Sequence, residues 1–139
     1  MYETILIAFD GSEPSRRALE HAFLEASGHD ATLHAVYVVD THRYAEPALS
    51  ASELRTDAIE EWAKSELEAI EAEGADRGVA VETACRHGTP HQTIVAYADD
   101  IDADLVVLGY QGHGHRRHGR MGSVTDRVIQ QLTRPALVV

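Results

Sequence analysis

The chain has 139 residues and a net charge of -11, with 12 Lys plus Arg against 23 Asp plus Glu. That length suits one compact domain, read here as residues 1–139, and is too short for two enzyme-sized units. The acidity argues against generic nucleic-acid binding, because phosphate backbones attract basic surfaces. Lys64 is the only lysine beside eleven arginines, and the Glu-, Asp- and Ala-rich helices read either as a salt-adapted surface, which requires stability to hold as KCl rises, or as the surface of an ordinary acidic cytosolic protein with biased codon usage. The single cysteine, Cys85, has no disulfide or CxxC partner and is expected as a small buried apolar residue. No signal peptide is recognisable and no run reaches the roughly 20 apolar residues of a membrane span, so the expected location is cytoplasmic, without membrane contact.

In chain order, Thr4 to Phe9 (TILIAF) is a continuous apolar run, the pattern of a strand covered on both faces, and it ends at Asp10-Gly11-Ser12. Pro14 opens a helix with Ala18, Leu19, Ala22, Phe23 and Ala26 on one face and Gly28 as the expected stop. Ala31 to Val39 is a β-branched second strand closed by Asp40. Ser50 and Glu53 have capping-box spacing before a long helix with Leu54, Ala58, Ile59, Trp62, Ala63, Leu67 and Ile70 at helical intervals; Gly74 and Gly78 bracket its end.

Val79 to Ala84 reads as a third strand. Thr89 as N-cap and Pro90 at the first helical position begin a helix through Ile94, Val95 and Ala98. Asp104 introduces the buried run Leu105 to Leu108, a fourth strand stopped by Gly109. A helix with Val124, Val128, Ile129 and Leu132 on one face follows, and Pro135 to Val139 forms the last strand. Apolar strands alternating with helices predict an open, twisted, five-stranded parallel sheet of the Rossmann-like α/β class, in the order 3-2-1-4-5, with helices on both faces. Ligands of such sheets sit beyond the carboxyl ends of the strands where the order reverses. Here that point lies between strands one and four, which brings Asp10 and Gly109 together.

Between strand four and the last helix the sign of the charge reverses. Residues 109–123 (GYQGHGHRRHGRMGS) hold five glycines, three arginines and three histidines, and no Asp or Glu occurs from Leu105 to Thr125. A helix N-terminus with free N–H groups at Gly122-Ser123, preceded by glycines that admit close backbone approach, suits a di- or triphosphate. The P-loop is excluded, because Arg120-Met121 follows the Gly114 to Gly119 spacing in place of Lys and a hydroxyl. A dinucleotide G-x-G-x-x-G is absent after the first strand, where only Asp10-Gly11-Ser12 stands.

The remaining spacing, G-x2-G-x9-G-S at Gly109, Gly112, Gly122 and Ser123, resembles the nucleotide signature of the universal stress protein family in its ATP-binding branch. DGSEPSRRAL after strand one, DADLVVLG before the glycines and RPALVV at the end extend the resemblance over the whole chain. The resemblance implies an adenine nucleotide, ATP or else AMP or ADP, accompanied by Mg or Mn. It also implies Asp10 near the adenosine, the backbone of Val38 at the adenine edge, and Gly109, Gly112, Gly122, Ser123 and Val124 around ribose and phosphates. Dimerisation through Pro135 to Val139 is implied too, and an exposed hydrophobic edge strand invites such pairing. Tyr110-Gln111 departs from the small residue and arginine that family members often carry there.

Several residues keep two readings. Asp10 is either a ribose or metal-water ligand or a turn former before Gly11. Arg116, Arg117 and Arg120 either clamp phosphates or form a charged lid without fixed contacts, and His113, His115 and His118 read better as a solvated loop than as a metal site. His87 and His91 beside Thr89-Pro90 faintly suggest a nucleotidyltransferase pattern, which helix capping explains adequately. The expected function is an adenine-nucleotide-binding stress protein acting through ordering of residues 109–123 and dimerisation. The alternative is a slow metal-dependent ATP hydrolase or nucleotide transferase, for which no residue offers a convincing catalytic base. A phosphoacceptor receiver domain is excluded, since Cys85 to Gly88 holds no Asp and no lysine ends strand five.

Overall fold

The computed structural model describes residues 1–41, 49–112 and 120–139, with the side chains of 49–56 outside that description. Its elements are β1 (Thr4–Ala8), α1 (Glu13–His29), β2 (Thr32–Asp40), α2 (Leu49–Arg77), β3 (Val81–Gly88), α3 (Pro90–Asp100), β4 (Leu105–Leu108), α4 (Ser123–Gln131) and β5 (Ala136–Val138). The strands form one sheet in the order β3-β2-β1-β4-β5, every pairing parallel, as the alternation of elements predicts.

Period-two alternation divides the sheet's side chains between two cores. Ile5, Ile7 and Phe9, Leu33, Ala35 and Val39, and Leu105 and Val107 pack with α1 and α2 through Ala22, Phe23, Ala63 and Leu67. Leu6, Val36, Val106 and Leu108 pack on the other face against Ile94 and Ala98 of α3 and Val128 of α4. Both faces being covered is why β1 and β4 read as unbroken apolar runs. Arg16 to Glu66 (3.0 Å) and Arg77 to Glu20 (2.8 Å) tie α1 to α2 across the first layer.

Three helices end in the same closure. The residue one past the left-handed position donates back to a carbonyl five residues earlier: Ala31 N to Ala26 O (2.9 Å), Val79 N to Gly74 O (2.8 Å) and Ala103 N to Ala98 O (2.9 Å). The left-handed residues are Asp30 (φ 54°), Gly78 (φ 71°) and Asp102 (φ 52°). Asp tolerates this conformation through its short polar side chain, so α1 runs past the expected stop at Gly28 and ends at Asp30. Gly78 closes α2 as expected, while Gly74 lies within the helix.

Other boundaries also move. β3 extends to Gly88 instead of ending at Ala84, because an edge strand with one neighbour accommodates the polar Arg86 and His87. Cys85 is half-buried rather than buried, and desolvation pushes its thiol pKa up. Thr89 precedes α3 in an extended conformation but makes no side-chain cap hydrogen bond, and Gly122, not Ser123, occupies the N-cap position of α4. The Ser50 and Glu53 capping pair lies outside the described side chains.

At the amino edge of the sheet, Asp104 Oδ2 accepts from the N–H groups of Glu3 (2.8 Å) and Thr4 (3.0 Å), fastening β1 to the entry of β4. These two backbone hydrogen bonds hold the Asp104 carboxyl below its usual range. A depressed folded-state pKa contributes stability above the unfolded value, about 3.9, which is lost as pH falls through the folded value. Asp104→Ala should therefore melt below the wild type at neutral pH, with the gap closing as pH drops below the ordinary carboxylate range. A gap independent of pH contradicts this role.

Candidate functional site

The site begins with how the chain leaves β1. Asp10 Oδ1 accepts from Ser12 N (2.9 Å) around Gly11 at φ 83°. Ser12 then caps α1 by accepting from Ser15 N (3.3 Å), and Ser15 Oγ donates to Ser12 O (3.0 Å). Asp10 is thus a turn former, and it also lies on the wall of a cavity. The turn role leaves the carboxylate on that wall.

β4 leaves the sheet beside that turn. A Cβ on Gly109 would lie 2.8 Å from the Pro14 carbonyl carbon and 2.9 Å from Ser15 N, so only glycine lets the first turn of α1 approach this closely. On the other side, Thr125 Oγ1 of α4 donates to Gly109 O (2.7 Å) in a buried contact. At Gly112 a Cβ would stand 2.6 Å from Asp10 Oδ2, so the carboxylate occupies the space a side chain would take. Gly109 is thus required by backbone packing within the protein, and at Gly112 the space is taken by a side chain of the protein itself, reasons different from close approach to a phosphate.

The two ends of the 109–123 stretch are joined directly. Gly122 N donates to Tyr110 O (2.8 Å) and Gln111 Nε2 donates to Arg120 O (2.6 Å). Tyr110 N donates to Val139 O (2.7 Å), which ties the same segment to the last strand. This frame sets the N-terminus of α4, whose first-turn N–H groups have no intrahelical acceptor, toward the carboxyl edge of the sheet.

Above that edge lies a cavity of about 760 Å³, lined by Asp10, Val38, Gly109, Gly112, Gly122, Ser123 and Val124. The structure thus brings together all seven residues expected at a nucleotide. Of the three arginines, Arg120 is exposed and is not a lining residue, while Arg116, Arg117 and the three loop histidines lie outside the described residues. The described lining residues include no Lys, Arg or His, so within this frame an anion meets N–H groups and a helix dipole instead of side-chain cations. Tyr110 is not a lining residue, whereas Gln111 is.

The size lies within the roughly 300–1,000 Å³ usual for small-molecule and cofactor sites. Asp10 and Asp40 are the carboxylates on the described wall. Among the described residues no group of three or more His, Cys, Asp or Glu is arranged to hold a metal ion. Such a wall fits a magnesium-type ion shared with ligand phosphates, which needs only one or two protein carboxylates.

Sequence reasoning missed the side of the cavity opposite the glycines. Tyr37, Ile59 and Trp62 line it there, while Pro90 and Ile94 of α3 and Thr125 of α4 complete the wall. Ile59 and Trp62 sit in an ordinary helical stripe that reads as core. The signal available was a small offset: Ala63, Leu67 and Ile70 keep the buried spacing, and Trp62 falls one position beside it.

A family model described as the universal stress protein family matches residues 1–139. A universal stress protein of Methanocaldococcus jannaschii is 34% identical over 140 residues, covering 100% of this chain and 82% of the relative. The solved structure of the universal stress protein UspA from Lactobacillus plantarum matches with a TM-score of 0.92 at 30% identity, over 99% of this chain and 97% of that one. A universal stress protein from Archaeoglobus fulgidus, solved in complex with dAMP, matches with a TM-score of 0.72 at 25% identity, over 99% and 97% of the two chains.

The two packing glycines should separate by substitution. Gly109→Ala places a methyl against backbone that cannot swing aside and should destabilise by about 1–3 kcal/mol. Gly112→Ala meets only a rotatable carboxylate, so it should leave stability nearly unchanged while displacing Asp10. Urea melts of the two variants test this, and equal losses would contradict the assignment.

Proposed function

The chain belongs to the universal stress protein family, matched along its whole length, and from that premise we propose that it binds an adenine nucleotide, ATP or else AMP or ADP. The observation that carries the proposal is the convergence of Asp10, Val38, Gly109, Gly112, Gly122, Ser123 and Val124 on one cavity at the point where strand order reverses. The relative from Archaeoglobus fulgidus with bound dAMP supports the ligand class.

In this reading the nucleotide's phosphates face the first turn of α4, where Ser123 adds a hydroxyl to the N–H groups of Ser123 and Val124. Asp10, held by its turn with one oxygen toward Gly112, is placed for the ribose or for a divalent ion that the phosphates share. Val38, on β2 two strands from β4, offers its backbone to the base. An Mg or Mn ion would neutralise phosphate charge that the acidic chain otherwise repels.

Residues 1–139 act as one nucleotide-binding domain, and β5 serves as a dimer edge. Among the described residues β5 pairs with β4 alone, which leaves its other side there as a sheet edge, the situation that favours strand pairing between copies. The stress-response role follows from a nucleotide's differential affinity for two states of the 109–123 stretch and of the dimer, because a ligand shifts an equilibrium only by that difference. The proposed place of action is the cytoplasm; no helix among the described residues is long and apolar enough to cross a membrane.

A ligand that binds only the native state raises its stability in proportion to the logarithm of its concentration above Kd. Millimolar ATP or AMP should therefore raise Tm, and Asp10→Ala should shrink the shift measured against its own ligand-free Tm. A Tm unmoved by either nucleotide sinks the proposal.

A further inference from the structure

Trp62 is the chain's one tryptophan, and it is 39% exposed although Ala63, Leu67 and Ile70 on the same helix are each at 4% or less. Leaving the largest apolar side chain open forgoes burial that its neighbours achieve. Trp62 is a lining residue of the cavity, as are Ile59, Val38 and Ile94. Tyr37 stands against it edge-to-face, with ring centroids 5.5 Å apart and planes at 72°, a contact that fixes the indole's orientation from one side.

The wall is chemically divided. α2 packs over β2 and β3, so Trp62 lies toward the β2 side of the cavity. Gly109, Gly122 and Ser123 lie at the β4 and α4 side. β1 separates β2 from β4, so the two ends are two strand spacings apart, about 10 Å. One end is aromatic and aliphatic apart from Asp40, without a described lining cation, and the other offers backbone N–H groups.

We propose that Trp62 is a base-stacking residue of this cavity, offering its indole to the ring of the bound nucleotide's base while the glycine frame takes the phosphates. This inference rests on the nucleotide reading above. An indole suits the task because every base has a π-face, because the ring loses little rotamer freedom on binding, and because a neutral apolar surface does not add to the acidity around the ligand. Ile59 and Val38 would then bound the base beside the stacking surface.

Calorimetric titration of wild type, Trp62→Phe and Trp62→Leu with ATP and with AMP tests the assignment, since Phe keeps a π-face and Leu keeps only bulk. Trp62→Phe should bind like the wild type. Trp62→Leu should lose affinity by roughly 5- to 150-fold, the range that base–aromatic stacking supplies, and by the same factor for AMP as for ATP because the two share the base. In wild type, saturation with ATP should also change the emission of this single tryptophan, a readout that needs no variant. Trp62→Leu binding as tightly as wild type, or unchanged emission during a titration in which calorimetry registers binding, overturns the role of Trp62 and leaves the nucleotide reading standing. Absence of any ATP or AMP binding to wild type overturns both.

Discussion

The buried hydrogen bond from Thr125 Oγ1 to Gly109 O, 2.7 Å long, is the junction on which the functional edge depends. It fixes the first turn of α4 against the exit of β4, and the missing side chain at Gly109 lets the first turn of α1 close on the same point from the other side. Three element ends from distant parts of the sequence are thereby held together. Without this close approach, the Asp10 turn and the Gly122 N-cap would not share a wall. The hydrogen bonds from Gly122 N to Tyr110 O and from Gln111 to Arg120 O extend the junction into a frame.

That frame changes how the glycine signature reads. A glycine ahead of a helix N-terminus suggests at first that the missing Cβ makes room for a phosphate. At Gly109 the space is filled by the backbone of α1, and at Gly112 by the carboxylate of Asp10. The spacing of the motif therefore encodes how strand, turn and helix interlock, and the proposed anion site would follow from where the interlocking leaves the N–H groups of α4. The reversal of charge along the sequence has the same local character. The chain is acidic overall, yet the described wall opposes an anion with only Asp10 and Asp40 and offers it a helix N-terminus.

Much of the architecture was legible in the sequence because it rests on local rules. Apolar runs gave the strands, helical intervals gave the covering faces, and their alternation gave a parallel sheet whose observed order matches the expected one. Boundaries were less legible. α1 overran Gly28 because Asp30 adopts the left-handed turn that glycine usually takes, and β3 ran on to Gly88 because polar residues are tolerated at a sheet edge. The glycine side of the site could be read from spacing. The opposite side could not, because Trp62 and Ile59 share the periodicity of the core, and only the packing of α2 over β2 decides which residue of that stripe is left facing the cavity. Arg116 and Arg117, expected either as phosphate clamps or as part of a charged lid, lie outside the described residues.

In the proposed function, the interlocked edge between β1 and β4 seats one adenine nucleotide per chain, in a protein that pairs through β5. Native mass spectrometry of the full chain incubated with ATP reads both features at once. A species of two chains carrying two nucleotides is expected; a chain whose mass is unchanged by ATP would contradict the nucleotide site.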